Sequence, residues 1–480
     1  MTPFEYAPSL EGTDNVKIES KNKLFINGKF VAPSSNKYFP TINPATGETL
    51  AQIAEANAKD VDLAVKSARG AYNKVWAKMS GRDRGRYLYR IARIIQERSK
   101  EFMVLETLDN GKPIKESRDV DIPLVAAHFF YYAGWADKLD YIIPGKKVNS
   151  LGVVAQVIPW NFPLLMAAWK IAPALAAGNT VVIKPAETTS LSILLLAEVL
   201  EQAGLPDGVV NIVTGAGETG AALVNHKDIN KVAFTGSTDV GKIIARSIAN
   251  TNKKLTLELG GKSANIIFED AAIDQAVEGV INGIFFNQGH VCCAGSRLLI
   301  EESISDMFVD KLKTRMNQLR VGNPLDKNTD IGAINSQAEL TKIKGLIQTG
   351  ITEGGNYFEA NGSTLPSKGY FQNPCFFNGV SSAFTLSRVE VFGPVLAIST
   401  FRTAQEAVSK ANDTQYGLAA GIWSEKGSKI HKVASQLRAG IIWANTYNKF
   451  DPASPFGGYN ESGFGREGGR HGLFPYLEAK

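Results

Sequence analysis

The sequence predicts an α/β protein with two domains. Three observations carry this: the length of the chain, an alternation of strand and helix patterns between residues 181 and 261, and a restart of that alternation after Gly261. At 480 residues the chain exceeds the roughly 250 to 300 at which one hydrophobic core stops growing. Its 44% hydrophobic and 21% charged residues are ordinary for a globular protein, so the extra length calls for a second core.

The opening "MTPFEYAPSLEGTDNVKIES" is polar and lacks the apolar centre of a signal peptide, which predicts a flexible lead-in. From about Asp60 to Phe130 the chain reads as mainly helical. Residues 151–178 are apolar enough to be mistaken for a membrane span, but Pro159, Asn161, Pro163, Lys170 and Pro173 interrupt them, so a buried soluble segment is predicted. "VVIK" at 181–184 reads as a strand, and 190–204 as a helix with Ser190 near its N-cap and Gly204 at its end. Strands follow at 209–215, 231–236 and 253–261, with a helix at 237–250. Strands alternating with helices at this spacing imply a parallel sheet with right-handed crossovers, a Rossmann-like domain. "NIIF" at 265–268 and a helix through about Asn287 open a second α/β domain. There is no internal repeat or low-complexity segment.

The 52 Lys and Arg against 47 Asp and Glu leave a net charge of +5 with no basic tract, so nucleic acid is not an expected partner. Three cysteines, two of them adjacent, cannot form a disulfide framework and point to a reducing compartment, the cytoplasm. Neither a metal site nor a membrane partner is expected.

The chemistry centres on Cys292, in the run Asn287 to Arg297 (NQGHVCCAGSR), a thiol set among glycines after a helical stretch. "PWNFP" at 159–163 offers the amide of Asn161, and "LELGGKS" at 257–263 the carboxylate of Glu258. Nucleophile, oxyanion donor and base are thereby available. Each has a plainer reading: a packed core thiol, a cap on a turn between prolines, a solvated strand end. Glu258 between Leu257 and Leu259, ahead of two glycines, favours a raised pKa and close backbone approach. Two glycine patterns compete for a cofactor. Gly215 to Gly220 matches G-x-G-x-x-G after a strand, while Gly236, Ser237 and Gly241 open a helix whose free N–H groups could meet a pyrophosphate.

From about Leu24 to Tyr476 the chain resembles the aldehyde dehydrogenase superfamily: "PWNFP", "KPAE", "FTGST", "ELGGKS", "GHVCCAGSR", "EVFGPV" and "SPFGG" occur in that family's order. The resemblance implies a coenzyme domain over 1–130 and 149–259, a catalytic domain over 260–459, and a small β oligomerisation element over 131–148 and 460–480. It implies Cys292 as nucleophile, Glu258 as general base, Asn161 as oxyanion donor and Glu467 as a carboxylate passing the base's proton outward, with a surface pair to Arg466 or Arg470 as the rival reading. It gives the coenzyme to the segment from Gly236 to Gly241, with Leu259 beyond it. Lys184 and Glu187 match a ribose-binding pair, which favours NAD over NADP because a carboxylate repels a 2′-phosphate; dual use stays open. Ile158 and Trp160 would line the adenosine side, and Glu390 and Phe392 would position the nicotinamide ribose. Phe162, Met166, Trp169, Val291, Phe450 and Phe456 fall at tunnel positions, which favours an uncharged aldehyde. Lys449 and Asp451 at the mouth leave polar aldehydes open.

Three departures stand out. His290 replaces a usual Gln, the segment between Trp135 and Leu151 is shorter than the usual oligomerisation hairpin, and the C-terminus, at "YLEAK", lacks the usual extending strand. Both losses fall on the oligomerisation element, so a dimer is predicted in place of a tetramer. Size-exclusion chromatography with light scattering should give about twice the 51.9 kDa chain mass, and a stable tetramer refutes the expectation.

Overall fold

The computed structural model describes residues 7–479. Two large sheets organise it. The first runs in the order Gly463–Phe464, Lys254–Glu258, Lys231–Thr235, Val153–Val157, Thr180–Lys184, Val210–Ile212, Leu24–Ile26 and Lys29–Val31. Its central strands are parallel. They are buried on both faces, which is why they read as continuous apolar runs. Val153, Ala155 and Val157 pack with the helices Ala58–Lys74, Gly217–Asn225 and Thr238–Ile248, while Val154, Val181 and Ile183 pack with Pro163–Ala176 and Leu191–Gln202. The period of two along each strand thus sorts side chains between two helical layers.

Strand order reverses between Val153–Val157 and Lys231–Thr235, leaving a crevice at their carboxyl ends, the place where open α/β sheets bind ligands. The register aligns Phe234 with Val157, Val157 with Lys184 and Thr235 with Glu258, so these strands end along one edge.

The second sheet runs Asn356–Glu359, Cys375–Asn378, Val395–Phe401, Arg297–Glu301, Ala264–Ile267, Ala419–Trp423, Ile441–Ala444, parallel except for Asn356–Glu359. Leu259 to Ser263 join Lys254–Glu258 of the first sheet to Ala264–Ile267 of the second, so the carboxyl edge of one adjoins the amino edge of the other, and residues 445–462 lead back to Gly463–Phe464. Arg297 fastens the junction: its Nε donates to the Lys262 carbonyl at 2.8 Å and its Nη2 to the Ala411 carbonyl at 2.7 Å.

The structure departs from expectation in three places. The helix expected through Asn287 ends at Phe285, because Asn287 and Gln288 are left-handed, with φ of 48° and 54°. The expected flexible lead-in is anchored: the Glu11 N–H donates to the Leu325 carbonyl at 2.8 Å, and the Glu11 carboxylate lies 3.3 Å from Lys100 and 3.2 Å from Lys327. Its first six residues lie outside the described part. The short hairpin expected over 131–148 is a single strand, Val148–Ser150, after the helix Ile122–Trp135 and a turn at Leu139–Tyr141. Its antiparallel partner is Leu477–Ala479. Among the described residues no helix is long and apolar enough to cross a membrane, and Pro163–Ala176 is buried almost throughout.

Candidate active site

The junction of the sheets holds a cleft lined from both sides. From the first sheet come Asn161, Gly236, Ser237, Glu258 and Leu259, each just after or at the end of a strand. From the second come Val291, Cys292, Glu390 and Phe392, which precede the strands Arg297–Glu301 and Val395–Phe401. Four residues expected at the site lie off this cleft: Ile158, Lys184, Glu187 and Gly241.

Glu258 is buried, and neither carboxylate oxygen has a hydrogen-bond partner. Burial and then the charge of Glu467 push its pKa well above the usual carboxylate range, while Lys170 pulls the other way. The thiol of Cys292 is likewise raised, first by its hydrogen bond with the Cys293 thiol and then by burial. Both shifts favour the protonated form. The glycines after Glu258 are explained by contact: a Cβ on Gly260 would lie 2.2 Å from Glu390 Oε2, and one on Gly261 would lie 2.6 Å from the Cys292 carbonyl oxygen. Gly261 N–H donates to Glu390 Oε1 at 3.1 Å, and burial raises the Glu390 carboxyl to about 7.

Asn161 donates from Nδ2 to the His290 carbonyl at 2.7 Å, and its own carbonyl accepts from Asn287 Nδ2 at 2.8 Å. The amide is thus tied to the nucleophile's loop. That loop turns through three successive left-handed residues, Asn287, Gln288 and Gly289, of which the first two cost on the order of 1–3 kcal/mol each. A Cβ on Gly289 would lie 2.2 Å from the Gly393 carbonyl oxygen, so the loop and the Glu390–Phe392 segment touch through glycine. His290 is fully buried, stacked on Phe392 and edge-on to Trp160, and burial lowers its pKa to about 3. It is a neutral aromatic spacer.

Glu467 corrects its rival reading. It is buried and pairs with Lys170, while Arg466 spends its guanidinium on the Gly458 and Gly465 carbonyls. Lys170 also donates to Thr235 Oγ1 at 2.6 Å. Its part here was missed, although a lone lysine in an apolar helix is a signal, since lysine is almost never fully buried unpaired.

On the apolar side Phe162, Met166, Trp169, Phe450 and Phe456 line the same cleft. The Trp169 ring meets Phe456 at 5.1 Å and Phe450 at 6.5 Å, edge-on in both cases. Val120, Leu165 and Phe286 join them and were missed, because apolar residues in apolar surroundings carry no local signal.

Lys184 donates to the Gly215 carbonyl at 2.5 Å and lies 3.8 Å from Glu187, whose side chain is 54% exposed. Burial lowers the Lys184 pKa to about 8. The Gly215 turn is therefore packed on Lys184, and Thr219 Oγ1 is committed to the Ala56 carbonyl at 2.6 Å. Ser237 instead caps a helix that opens on the cleft, its Oγ accepting from the Val240 N–H at 3.4 Å. Gly241 serves packing, since a Cβ there would lie 2.6 Å from Leu259 Cδ2. Among the described residues no cluster suited to a metal ion is present.

A thiol, an unpartnered carboxylate and an amide thus surround one cleft, beside the switch point of a parallel sheet. The aldehyde dehydrogenase family model matches residues 30–480, and the chain belongs to that family. It is 46% identical over 475 residues to the human mitochondrial aldehyde dehydrogenase, covering 96% of this chain and 91% of that one. It is 47% identical over 472 residues to the mitochondrial aldehyde dehydrogenase family 2 member B4 of Arabidopsis thaliana, covering 96% and 88%. The NAD+ complex of aldehyde dehydrogenase from Bacillus cereus superposes with a TM-score of 0.94 at 42% identity over 98% of each chain. A mutant indole-3-acetaldehyde dehydrogenase of P. syringae, in complex with NAD+ and IAA, superposes with a TM-score of 0.94 at 40% identity over 98% and 97%.

Removing Lys170 alone strands the buried Glu467. Lys170→Met should destabilise the fold by about 3–5 kcal/mol, and adding Glu467→Leu should recover most of that, as chemical denaturation would measure.

Proposed function

We propose that the chain oxidises an uncharged aldehyde to the carboxylic acid with NAD, through an acyl group carried on Cys292. The observation that carries this is the convergence of Cys292, Glu258 and Asn161 on one cleft that continues into the Gly236–Ser237 crevice. A dinucleotide fits the residues present. The helix N-terminus at Ser237 suits a pyrophosphate, Glu187 with Lys184 suits a ribose, and Glu390 with Phe392 suits the nicotinamide end. When bound there, NAD supplies the hydride acceptor. The carboxylate of Glu187 favours NAD over NADP.

In its ionised form Glu258 takes the proton of Cys292, directly or through water, and the thiolate adds to the aldehyde carbon. The Asn161 amide and the Cys292 N–H hold the oxyanion of the resulting thiohemiacetal. Loss of hydride leaves a thioester on Cys292. Glu258 sheds the thiol's proton outward through the Lys170–Glu467 pair, then takes a second proton from the water that hydrolyses the thioester and releases it by the same route. The sealed carboxylate beside the thiol favours water over coenzyme A as the acyl acceptor. The aromatic wall favours aliphatic or aromatic aldehydes without charge. The free cysteines support a reducing compartment, the cytoplasm, and the small two-stranded β element supports a homo-oligomer.

Aldehydes of graded length and charge, assayed with NAD, NADP and added coenzyme A, test the reading: apolar aldehydes with NAD should turn over fastest and release acid, and an acyl-coenzyme A product would overturn hydrolysis. Asn161→Ala should lower kcat by about 10²–10³, or ~2.7–4 kcal/mol. Because Cys292 and Glu258 are both raised and both must lose a proton to act, kcat/KM should climb as pH rises above neutrality. Glu258→Gln should slow acylation and hydrolysis alike, and at a pH high enough to ionise Cys292 unaided an acyl adduct should accumulate on Cys292, as intact-mass spectrometry would detect.

A further inference from the structure

Behind the nucleophile's loop lie four buried ionisable side chains that the reaction above does not use: Glu106, Lys112, Glu116 and Asp121. Lys112 Nζ donates to Asp121 Oδ2 at 2.5 Å and sits 4.2 Å from the centre of the Phe162 ring. The two remaining carboxyls each hold a wall of the site. Glu106 Oε1 accepts from the Leu164 N–H at 3.3 Å, at the start of the helix that follows Asn161. Glu116 Oε2 accepts from the Asn287 N–H at 3.0 Å, at the first left-handed residue before the nucleophile.

The second contact reaches the chemistry through a continuous path. Glu116 holds the Asn287 backbone, the Asn287 side chain holds the Asn161 carbonyl at 2.8 Å, and the Asn161 amide meets the His290 carbonyl at 2.7 Å. Asn287 and Gln288 keep φ of 48° and 54° directly after a right-handed helix that ends at Phe285. Left-handed conformations are strained for side-chain-bearing residues and persist only where the surroundings over-determine them. Gln288 is fastened by its donation to the Ala333 carbonyl at 3.1 Å, but the backbone N–H of Asn287 has Glu116 as its acceptor.

We propose that Glu116 is a positioning residue: through Asn287 it holds the left-handed kink that sets the Asn161 amide and the Cys292 loop around one substrate oxygen. The inference rests on aldehyde oxidation at Cys292. One lysine faces three carboxyls here, and burial holds Glu116 up at about 8 and Glu106 at about 7. At neutral pH Glu116 therefore accepts mainly as a neutral acid, which makes glutamine its conservative replacement.

The test compares Glu116→Gln and Glu116→Leu with the parent enzyme, using an aldehyde that the parent oxidises. A misplacement of about 1 Å can cost about 10²-fold in rate. Glu116→Leu should lower kcat by about 10- to 100-fold while the dissociation constant of NAD, read from tryptophan fluorescence, moves less than about twofold. Glu116→Gln should stay within about threefold of the parent. An unchanged kcat in Glu116→Leu overturns the proposal, as does equal damage by glutamine, or a parallel loss of NAD binding that marks general unfolding. If the leucine variant does not fold, Glu116→Asp, which withdraws the oxygen by one methylene, is held to the same criteria. A parent that oxidises no aldehyde would defeat the functional reading itself, a separate and visible failure.

Discussion

A carboxyl with no hydrogen-bond donor, Glu258, sits sealed at the end of a central strand, and much of the surrounding structure is arranged around that cost. An ionised carboxylate taken out of water without a partner is penalised by several kcal/mol, so the group is held neutral and gives its charge only when chemistry demands it. The same low-dielectric pocket strengthens any donor aimed at a developing oxyanion. Lys170 and Glu467 form a buried ion pair nearby that leaves Glu467 Oε2 without a partner, and the two act on Glu258 in opposite directions.

The second constraint is architectural. Between a strand ending at Glu258 and another starting at Ala264, the two linking positions that face Glu390 and the Cys292 carbonyl have no room for a side chain, and Gly260 and Gly261 stand there. Through them Glu390 and the Cys292 loop, both from the second sheet, reach a crevice built by the first. The site belongs to neither domain alone.

Much of this was legible in the chain. Strands read at 181–184, 209–215 and 253–261 are observed at Thr180–Lys184, Val210–Ile212 and Lys254–Glu258, and the helix read at 237–250 is Thr238–Ile248. Local periodicity suffices where both faces of a strand are buried. Cys292, Glu258 and Asn161 meet at one cleft because each stands beside a glycine, proline or strand end that marks it. What stayed hidden depends on distant partners. The left-handed turn at Asn287 is imposed by contacts to residues 116 and 161, and Lys170 finds Glu467 almost three hundred positions later. Glu339 and Lys342 line the cleft yet read as an ordinary i, i+3 surface pair on the helix Gln337–Thr352.

The anchoring of Glu11 has a mechanical consequence. Its carboxylate clasps Lys100, on a helix packed with the coenzyme domain, and Lys327, in the domain that carries Cys292. The N-terminal strap therefore bridges the two lobes at a point remote from the cleft, like a hasp across a hinge. Any movement that parts Lys100 from Lys327 must first release Glu11, so this short segment acts as a tie between the two.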